Sequence, residues 1–111
     1  MTFTFADGSI GVVDYLANGD KSFPKERVEV FCGGQIAVLD DFRVLETVKD
    51  GKKKTVKLMG QDKGHYNEMQ ALVGGIRSGQ APIAYEQLIG VTKATFAAVK
   101  SIRKNGETIK I

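Results

Sequence analysis

Apolar and polar positions alternate with the period of two that is typical of β-strands over most of the first sixty residues. Short glycine-containing turns interrupt this alternation, among them Asp7-Gly8, Gly33-Gly34 and Asp50-Gly51. The pattern predicts six strands, at residues 2–5, 10–16, 24–32, 35–39, 42–48 and 55–59. Because the connections are too short for helical crossovers, we expect a largely antiparallel sheet.

The apolar period changes to that of an α-helix in the second half of the chain. A first helix is predicted between Asp62, as its N-cap, and Gly79, as its stop. Its apolar positions are Tyr66, Met69, Leu72, Val73 and Ile76. A second helix follows Pro82 and ends at Asn105-Gly106. Its apolar stripe comprises Leu88, Thr92, Thr95, Phe96, Val99 and Ile102. Residues 107–111 alternate again and predict a final strand.

Strands followed by helices predict an α+β fold. We expect residues 1–111 to form a single domain, with two helices packed on one face of an open-faced, largely antiparallel sheet of about six strands. Gly74-Gly75 lies inside the first predicted helix. Each glycine costs a helix about 1 kcal/mol relative to alanine, so the pair suggests that another backbone packs closely there.

The second face of the predicted sheet is apolar as well. We expect one face, which meets the helices, to carry Val12, Val28, Val30, Val38 and Val44. The out-of-phase set comprises Tyr15, Phe31, Leu39 and Leu45. Since an uncovered apolar sheet face is typical of an interaction surface, we expect a partner subunit or another domain to pack there.

The charge and composition are those of an ordinary globular protein. The 111 residues are 42% hydrophobic and 26% charged, with a net charge of +3. Most lysines and arginines alternate with acidic residues, and this dispersion of positive charge argues against a nucleic-acid partner. No apolar run is long enough to span a bilayer, and no signal peptide is recognisable, so we expect a cytoplasmic protein.

The residues most suited to chemistry do not assemble a predicted catalytic or metal site. Cys32 is the single cysteine and is predicted to be a buried structural thiol. His65, the single histidine, is predicted to lie in the first turn of a helix with Glu68 as a surface neighbour. With one cysteine and one histidine, a four-ligand zinc site is improbable. Lys52-Lys53-Lys54 is predicted to be a solvated hairpin tip.

A charged triplet, Lys25-Glu26-Arg27, stands where the third predicted strand begins. Such a place either binds something or solvates the edge of the sheet. Lys25, Arg27 and Arg43 would leave their strands near one another if the register is simple, and they are the candidates for contacting an anionic ligand or an interface. Tyr15 and Phe31, from the outward-facing apolar set, are the further interface candidates.

Several motifs together resemble a known enzyme family by their order and spacing. They are Phe5-Ala6-Asp7-Gly8-Ser9-Ile10-Gly11, Tyr15, Gly19-Asp20, Phe23-Pro24-Lys25-Glu26-Arg27-Val28-Glu29-Val30-Phe31, Leu39-Asp40-Asp41-Phe42, Lys63-Gly64-His65 with Glu68, Pro82-Ile83 and the Thr92 to Ser101 helix. This order is similar to the C-terminal domain of the glucose-fructose oxidoreductase/inositol dehydrogenase (Gfo/Idh/MocA) family. The most similar subgroup acts in polysaccharide or sugar-nucleotide metabolism, sometimes fused behind a zinc-type alcohol dehydrogenase module.

The resemblance implies an NAD(P)-dependent oxidoreductase of two domains. A Rossmann domain would hold NAD or NADP, and an open-faced sheet domain would supply the substrate wall and the oligomer interface. The chain contains neither the glycine fingerprint nor the Glu-Lys-Pro motif that carries the family's catalytic lysine. The expectation is therefore a substrate-side and oligomerisation domain, inactive by itself, that pairs with an N-terminal Rossmann domain and forms a homodimer or higher oligomer through the open sheet face.

Two other interpretations of the residues stay open. A free-standing dimeric α+β module would bind a small molecule without any nicotinamide partner. A basic module would bind DNA or RNA with a steep salt dependence; the dispersed charge makes it the weaker of the two.

Overall fold

The structure, a computed structural model, describes residues 1–111 and contains six strands and two helices. In chain order these are β1 (Thr2–Thr4), β2 (Ile10–Val12), β3 (Arg27–Cys32), β4 (Gln35–Asp40), β5 (Val44–Lys49), β6 (Lys52–Lys57), α1 (His65–Ser78) and α2 (Tyr85–Arg103). The chain divides into two compact units, one of Leu16–Glu68 and one of Met1–Tyr15 with Met69–Ile111, and each is described by itself.

The first of these units contains a four-stranded sheet in which β3, β4, β5 and β6 follow one another in chain order. All three neighbouring pairs are antiparallel hairpins. The β3–β4 turn is Gly33-Gly34, with φ of 54° and 73°, and the β5–β6 turn is Asp50-Gly51, with φ of 49° and 68°. Left-handed backbone at both central residues matches the right-handed twist of a hairpin, and glycine or aspartate adopts it readily.

The register of this sheet corrects the predicted division of its faces. Val28 lies opposite Leu39, which in turn lies opposite Leu45, so these three side chains share one face. Val38 lies opposite Glu29 and therefore shares the other face with Phe31. The prediction of one valine face and one face of Phe31, Leu39 and Leu45 was wrong. The two-residue turn sets the register, and alternation within single strands does not reveal it.

The second unit contains the two-stranded sheet of β1 and β2, which pair antiparallel. Asp7 shapes their connection by accepting hydrogen bonds from the Oγ of Ser9 at 2.7 Å and from its backbone N at 2.9 Å. These hydrogen bonds lower the pKa of Asp7, since they stabilise the ionised carboxylate. Because β2 ends at Val12, the predicted strand over residues 10–16 is shorter than expected, and Tyr15 lies outside it.

Both helices end as their sequence predicts. After α1, Gly79 adopts a left-handed φ of 70°, and after α2, Asn105 and Gly106 do the same. The start of α1 differs, because the Asp62 carboxylate accepts a hydrogen bond from the backbone N of Gly64 rather than from the helix itself. Residues 107–111 form no strand, which corrects the prediction of a seventh one.

The α+β class, the two helices and the six antiparallel strands are confirmed, with the strands divided into sheets of four and two. No residue of the four-stranded sheet is buried. The packing of the helices on one sheet face and the single-domain organisation stay predictions.

Candidate functional site

One end of the four-stranded sheet brings together motifs that lie far apart in the sequence. We call it the Phe42 end and define it as Glu26, Asp41, Phe42, Arg43 and Lys63. The backbone N of Asp41 donates to the carbonyl of Glu26 at 2.7 Å, which joins the start of β3 to the β4–β5 turn. The backbone N of Asp62 donates to the carbonyl of Phe42 at 3.0 Å, so the segment after β6 also returns here.

The β4–β5 turn at this end has an unusual backbone. Asp41 and Phe42 have φ of 52° and 50°, in the left-handed region. Aspartate tolerates this region, but for a residue as bulky as phenylalanine it costs roughly 1–2 kcal/mol. Gln61, which follows β6, donates a hydrogen bond of 2.5 Å from its Nε2 to Oδ1 of Asp41 and so stabilises the β4–β5 turn. The turn therefore keeps its shape through contacts from the Gln61–Lys63 segment.

An ion pair also links the Gln61–Lys63 segment to Glu26, the residue just before β3. Nζ of Lys63 lies 2.7 Å from Oε1 of Glu26 and 5.8 Å from the centre of the Phe42 ring, a distance suited to a cation–π contact. The hydrogen bond from Lys63 lowers the pKa of Glu26. A paired carboxylate with a lowered pKa is a weaker base, so Glu26 is better suited to holding the turn than to proton transfer.

The three predicted cationic contacts lie near this end, but only one of them, Arg27, is in an ion pair. Arg27 is the first residue of β3, and its Nη2 and Nε lie 2.7 and 2.8 Å from Oε1 of Glu29. Arg43 forms no salt bridge, and its Nε donates to the carbonyl of Leu58 at 3.3 Å. Lys25 precedes β3 and also has no ion-pair partner.

A shallow depression of about 340 Å³ lies beside Arg43. Lys57, Leu58 and Met59 complete its lining. Neither Arg43 nor Lys57 is engaged in a salt bridge, so two cationic groups border the depression without an acidic partner. The two cationic groups suit a small anionic group better than a cation, beside the apolar side chains of Leu58 and Met59.

The two aromatic candidates lie in separate units. Phe31 is on β3 with 69% of its surface exposed, on the same face as Arg27 and Glu29. Tyr15 follows β2 in the other unit and is 84% exposed. Both side chains are accessible to a partner.

An apolar row crosses the opposite face of the four-stranded sheet. Val28, Leu39, Leu45 and Val56 lie directly opposite one another on consecutive strands. Three of them are exposed and Leu39 is half-buried. Val30 and Ala37 form an opposed pair next to the row. We call this surface the apolar face, defined by these six residues, and the other surface the charged face.

Three predictions about single residues have clear outcomes. Cys32 is exposed rather than buried, because it lies next to the β3–β4 turn. Lys52, Lys53 and Lys54 form the first half of β6 rather than a hairpin tip, since the turn is confined to Asp50-Gly51. His65 begins α1, and its Nδ1 lies 3.8 Å from Oε2 of Glu68, which confirms the surface pairing.

No group of three or more His, Cys, Asp or Glu side chains is arranged to hold a metal ion. No helix combines the length and the hydropathy needed to cross a membrane.

The pairing of Glu26 with Lys63 was not predicted from the sequence. The two residues are 37 positions apart, and nothing in their local patterns links them. The available signal was that both lie in motifs that stand out by themselves, the charged strand entry and the Lys63-Gly64-His65 segment. Long-range pairs of opposite charge become predictable only once the register of the sheet is known.

Comparison with known proteins identifies no relative of this chain. No protein-family model matches the chain, and no curated protein or solved structure is significantly similar to it.

Proposed function

We propose that this chain is the substrate-side and oligomerisation domain of an NAD(P)-dependent oxidoreductase that acts on sugars, and that it is not catalytic by itself. The order of the sequence motifs supports the enzyme class. The apolar face supports the packing role, and it is the observation that carries the proposal. NAD or NADP would be bound by a separate Rossmann domain of the same enzyme.

The apolar face has the construction of an interface. Its row of four aliphatic side chains runs without interruption from one edge of the sheet to the other. Val28 and Val56, at the two ends of the row, are each 47% exposed. Aliphatic side chains gain roughly 25 cal/mol for each Å² removed from water, so this face gains free energy by packing on a second copy of itself.

The charged face differs from the apolar face because acidic residues lie on either side of its central strand, and it provides a position for a control substitution. There Glu29, Val38 and Glu46 lie opposite one another on β3, β4 and β5. Ion pairs of Arg27 with Glu29 and of Lys53 with Glu46 lie on this face. The same face also carries the apolar row of Phe31, Ile36 and Val48. Because two ion pairs flank that row, whereas the row of the apolar face reaches both edges of the sheet, we assign the subunit contact to the apolar face.

Two substitutions on the same strand test this assignment. Leu39→Lys places a charge in the centre of the apolar row, whereas Val38→Lys places the same charge between Glu29 and Glu46 on the charged face. Sedimentation equilibrium at micromolar concentration should show self-association of the wild type. Leu39→Lys should weaken that association by roughly tenfold or more, because the charge must be desolvated, and Val38→Lys should leave it unchanged. A monomeric wild type, or equal effects of both substitutions, would contradict the packing role.

Calorimetric titration tests whether NAD or NADP binds to a separate Rossmann domain rather than to this chain. We expect no heat of binding when NAD or NADP is added to this chain. A dissociation constant in the micromolar range would place the nucleotide on this chain and overturn the proposal.

A small-molecule-binding module is a second candidate because of the depression beside Arg43. Two unpaired cations there would attract a carboxylate or a phosphate. Saturable binding of inorganic phosphate that is lost in Arg43→Ala would favour this candidate, whereas no binding would leave the packing role as the better explanation.

A further inference from the structure

A second surface of the four-stranded sheet is suited to self-association, namely its β3 edge. The sheet has two edge strands, β3 and β6. An edge strand presents a row of backbone N–H and C=O groups that no neighbouring strand satisfies, and natural proteins either cover it or protect it with charge. The two edges of this sheet differ sharply in that respect.

The β6 edge is protected. Four of its six residues are lysines, in the sequence Lys-Lys-Lys-Thr-Val-Lys. Antiparallel self-pairing with the two-fold axis at Lys53, Lys54 or Thr55 would place lysines of two copies directly opposite one another, and like charges in that position destabilise a sheet. The β3 edge, by contrast, has the sequence Arg-Val-Glu-Val-Phe-Cys, with one cation and one anion two residues apart.

The hairpin register determines which backbone groups of β3 remain free. Cys32 and Gln35 flank the two-residue turn and are therefore a hydrogen-bonded pair, and bonding to β4 continues at every second residue towards Glu26. The bond from Asp41 N to the Glu26 carbonyl follows this rule. The free backbone groups consequently belong to Arg27, Glu29 and Phe31, together with Lys25 just before the strand.

We propose that two copies of this chain pair antiparallel along β3, with the two-fold axis at Val28. In this register Arg27 of each copy lies opposite Glu29 of the other, and their backbones form two hydrogen-bonded pairs. Phe31 of each copy lies beside Lys25 of the other. The proposal deepens the oligomerisation role given above but depends on a different surface, since the apolar face is not required for edge pairing.

Charge selects this register over its neighbours. A two-fold axis at Glu29 would place the Glu29 carboxylates of the two copies directly opposite each other. An axis at Val30 would place Glu29 opposite Phe31 and leave Arg27 beyond the paired strands. Only the axis at Val28 matches both Arg27–Glu29 contacts, and opposite charges in directly opposed positions stabilise strand pairing.

Disulfide trapping tests the register directly. In a Cys32→Ser background, Val28→Cys puts the two thiols on the two-fold axis, where opposed Cα atoms of a non-hydrogen-bonded pair are about 4.5 Å apart, within disulfide range. Val30→Cys is the matched control, because it lies on the same strand and face with similar exposure, 51% against 47% for Val28. Its two Cα atoms would be about 14 Å apart, four residues along the strand, which is beyond the reach of a disulfide.

Oxidation of the two variants at micromolar concentration should give a covalent dimer for Val28→Cys and little for Val30→Cys. Preferential cross-linking of Val30→Cys, equal cross-linking of both, or none for either would overturn the proposed register. Adding Leu39→Lys to the Val28→Cys variant separates this proposal from that of the apolar face. If the double variant still cross-links but self-associates more weakly in sedimentation equilibrium, both interfaces are supported. If cross-linking is lost, β3 pairing does not occur independently of the apolar face, and the proposed β3 pairing is overturned.

Charge reversal in mixed chains gives an independent test. Arg27→Glu and Glu29→Arg each break the Arg27–Glu29 pair within the chain, and each places like charges opposite one another in its own dimer. When the two variants are mixed, both contacts join a carboxylate to a guanidinium. We expect each variant alone to associate roughly tenfold more weakly than the wild type and the mixture to recover heterodimers. Because the intrachain pair stays broken in the mixture, absence of recovery would overturn the proposal.

Discussion

Alanine substitutions at the two adjacent glycines of α1 should differ in their effects on stability. A Cβ atom at Gly74 would meet nothing within 4 Å. A Cβ atom at Gly75 would lie 2.6 Å from the carbonyl oxygen of Gln80 and 3.0 Å from Cδ of Pro82. The chain reverses direction after the helix and passes over Gly75, where the backbone N of Gln80 also donates to the Gly75 carbonyl at 3.1 Å.

The expected magnitudes follow from two contributions. Replacing a helical glycine by alanine stabilises the helix by about 1 kcal/mol at either position, chiefly because alanine has less backbone entropy to lose. At Gly75 the new methyl group would overlap a backbone carbonyl, which cannot rotate away as a side chain would, and such overpacking costs typically 1–3 kcal/mol. Gly74→Ala should therefore be about 1 kcal/mol more stable than the wild type, and Gly75→Ala about 1–3 kcal/mol less stable than Gly74→Ala.

Hydrogen exchange measures this difference at the helix itself. The amides of α1 should exchange about fivefold more slowly in Gly74→Ala, since 1 kcal/mol corresponds to that factor in the opening equilibrium. In Gly75→Ala they should exchange faster than in Gly74→Ala by roughly fivefold or more. Equal protection in the two variants would show that Gln80 does not approach Gly75 closely, and it would refute the steric argument.

Three further predictions concern the four-stranded sheet. The hydrogen bond from Lys63 lowers the pKa of Glu26, so their pairing stabilises the folded state fully above the ordinary carboxyl pKa of 4.5. This stabilisation is lost as the pH falls through the lower pKa of Glu26 in the folded state. In urea unfolding, Glu26→Gln should therefore be less stable than the wild type at neutral pH but not in strong acid. Gly34→Ala should destabilise the sheet by roughly 1–2 kcal/mol, because Gly34 has φ of 73°, whereas Gly60→Ala, in open space, should change the unfolding free energy by less than about 0.5 kcal/mol. The exposed Cys32 thiol should react with a disulfide reagent in the folded chain within about threefold of its rate in urea, and a much slower folded-state rate would show that it is covered.

The period of the apolar pattern was enough to predict the secondary structure. Period-two alternation and turn residues identified all six strands, and the helical period with its terminal glycines identified both helices. The errors lie at the ends of elements and in residues 107–111, which form no strand. For β6, the sequence predicts that the run of lysines lies in a hairpin tip. In the structure Asp50-Gly51 already completes the turn, and lysines with long apolar stems are tolerated in an exposed edge strand.

The relation between strands could not be predicted from alternation. Alternation shows which residues of one strand share a face, but the offset between strands depends on turn length and on bulges. Two residues in the β3–β4 turn place Val28 with Leu39, whereas three unpaired residues between β4 and β5 place Leu39 with Leu45. The predicted faces were therefore mixed, even though each strand was assigned correctly.

The candidate site illustrates a further limit. The sequence predicted that the charged strand entry and Arg43 would lie near one another, and the structure places both at the Phe42 end. It did not predict the left-handed backbone of Phe42, because a bulky aromatic residue is unfavourable there and contacts from Gln61 and Asp62 maintain it. Such conformations are determined by tertiary contacts rather than by local preference.

The lysines of β6 have a consequence for the size that an assembly can reach. A sheet with two open edges can in principle add copies at both edges and grow into a filament without limit. Here the lysines of β6 disfavour pairing of that edge with a second β6, so each copy that joins another through β3 uses the edge that is better suited to pairing. The four lysines of β6 would thereby limit the extension of the sheet, strand by strand, beyond a β3-paired dimer.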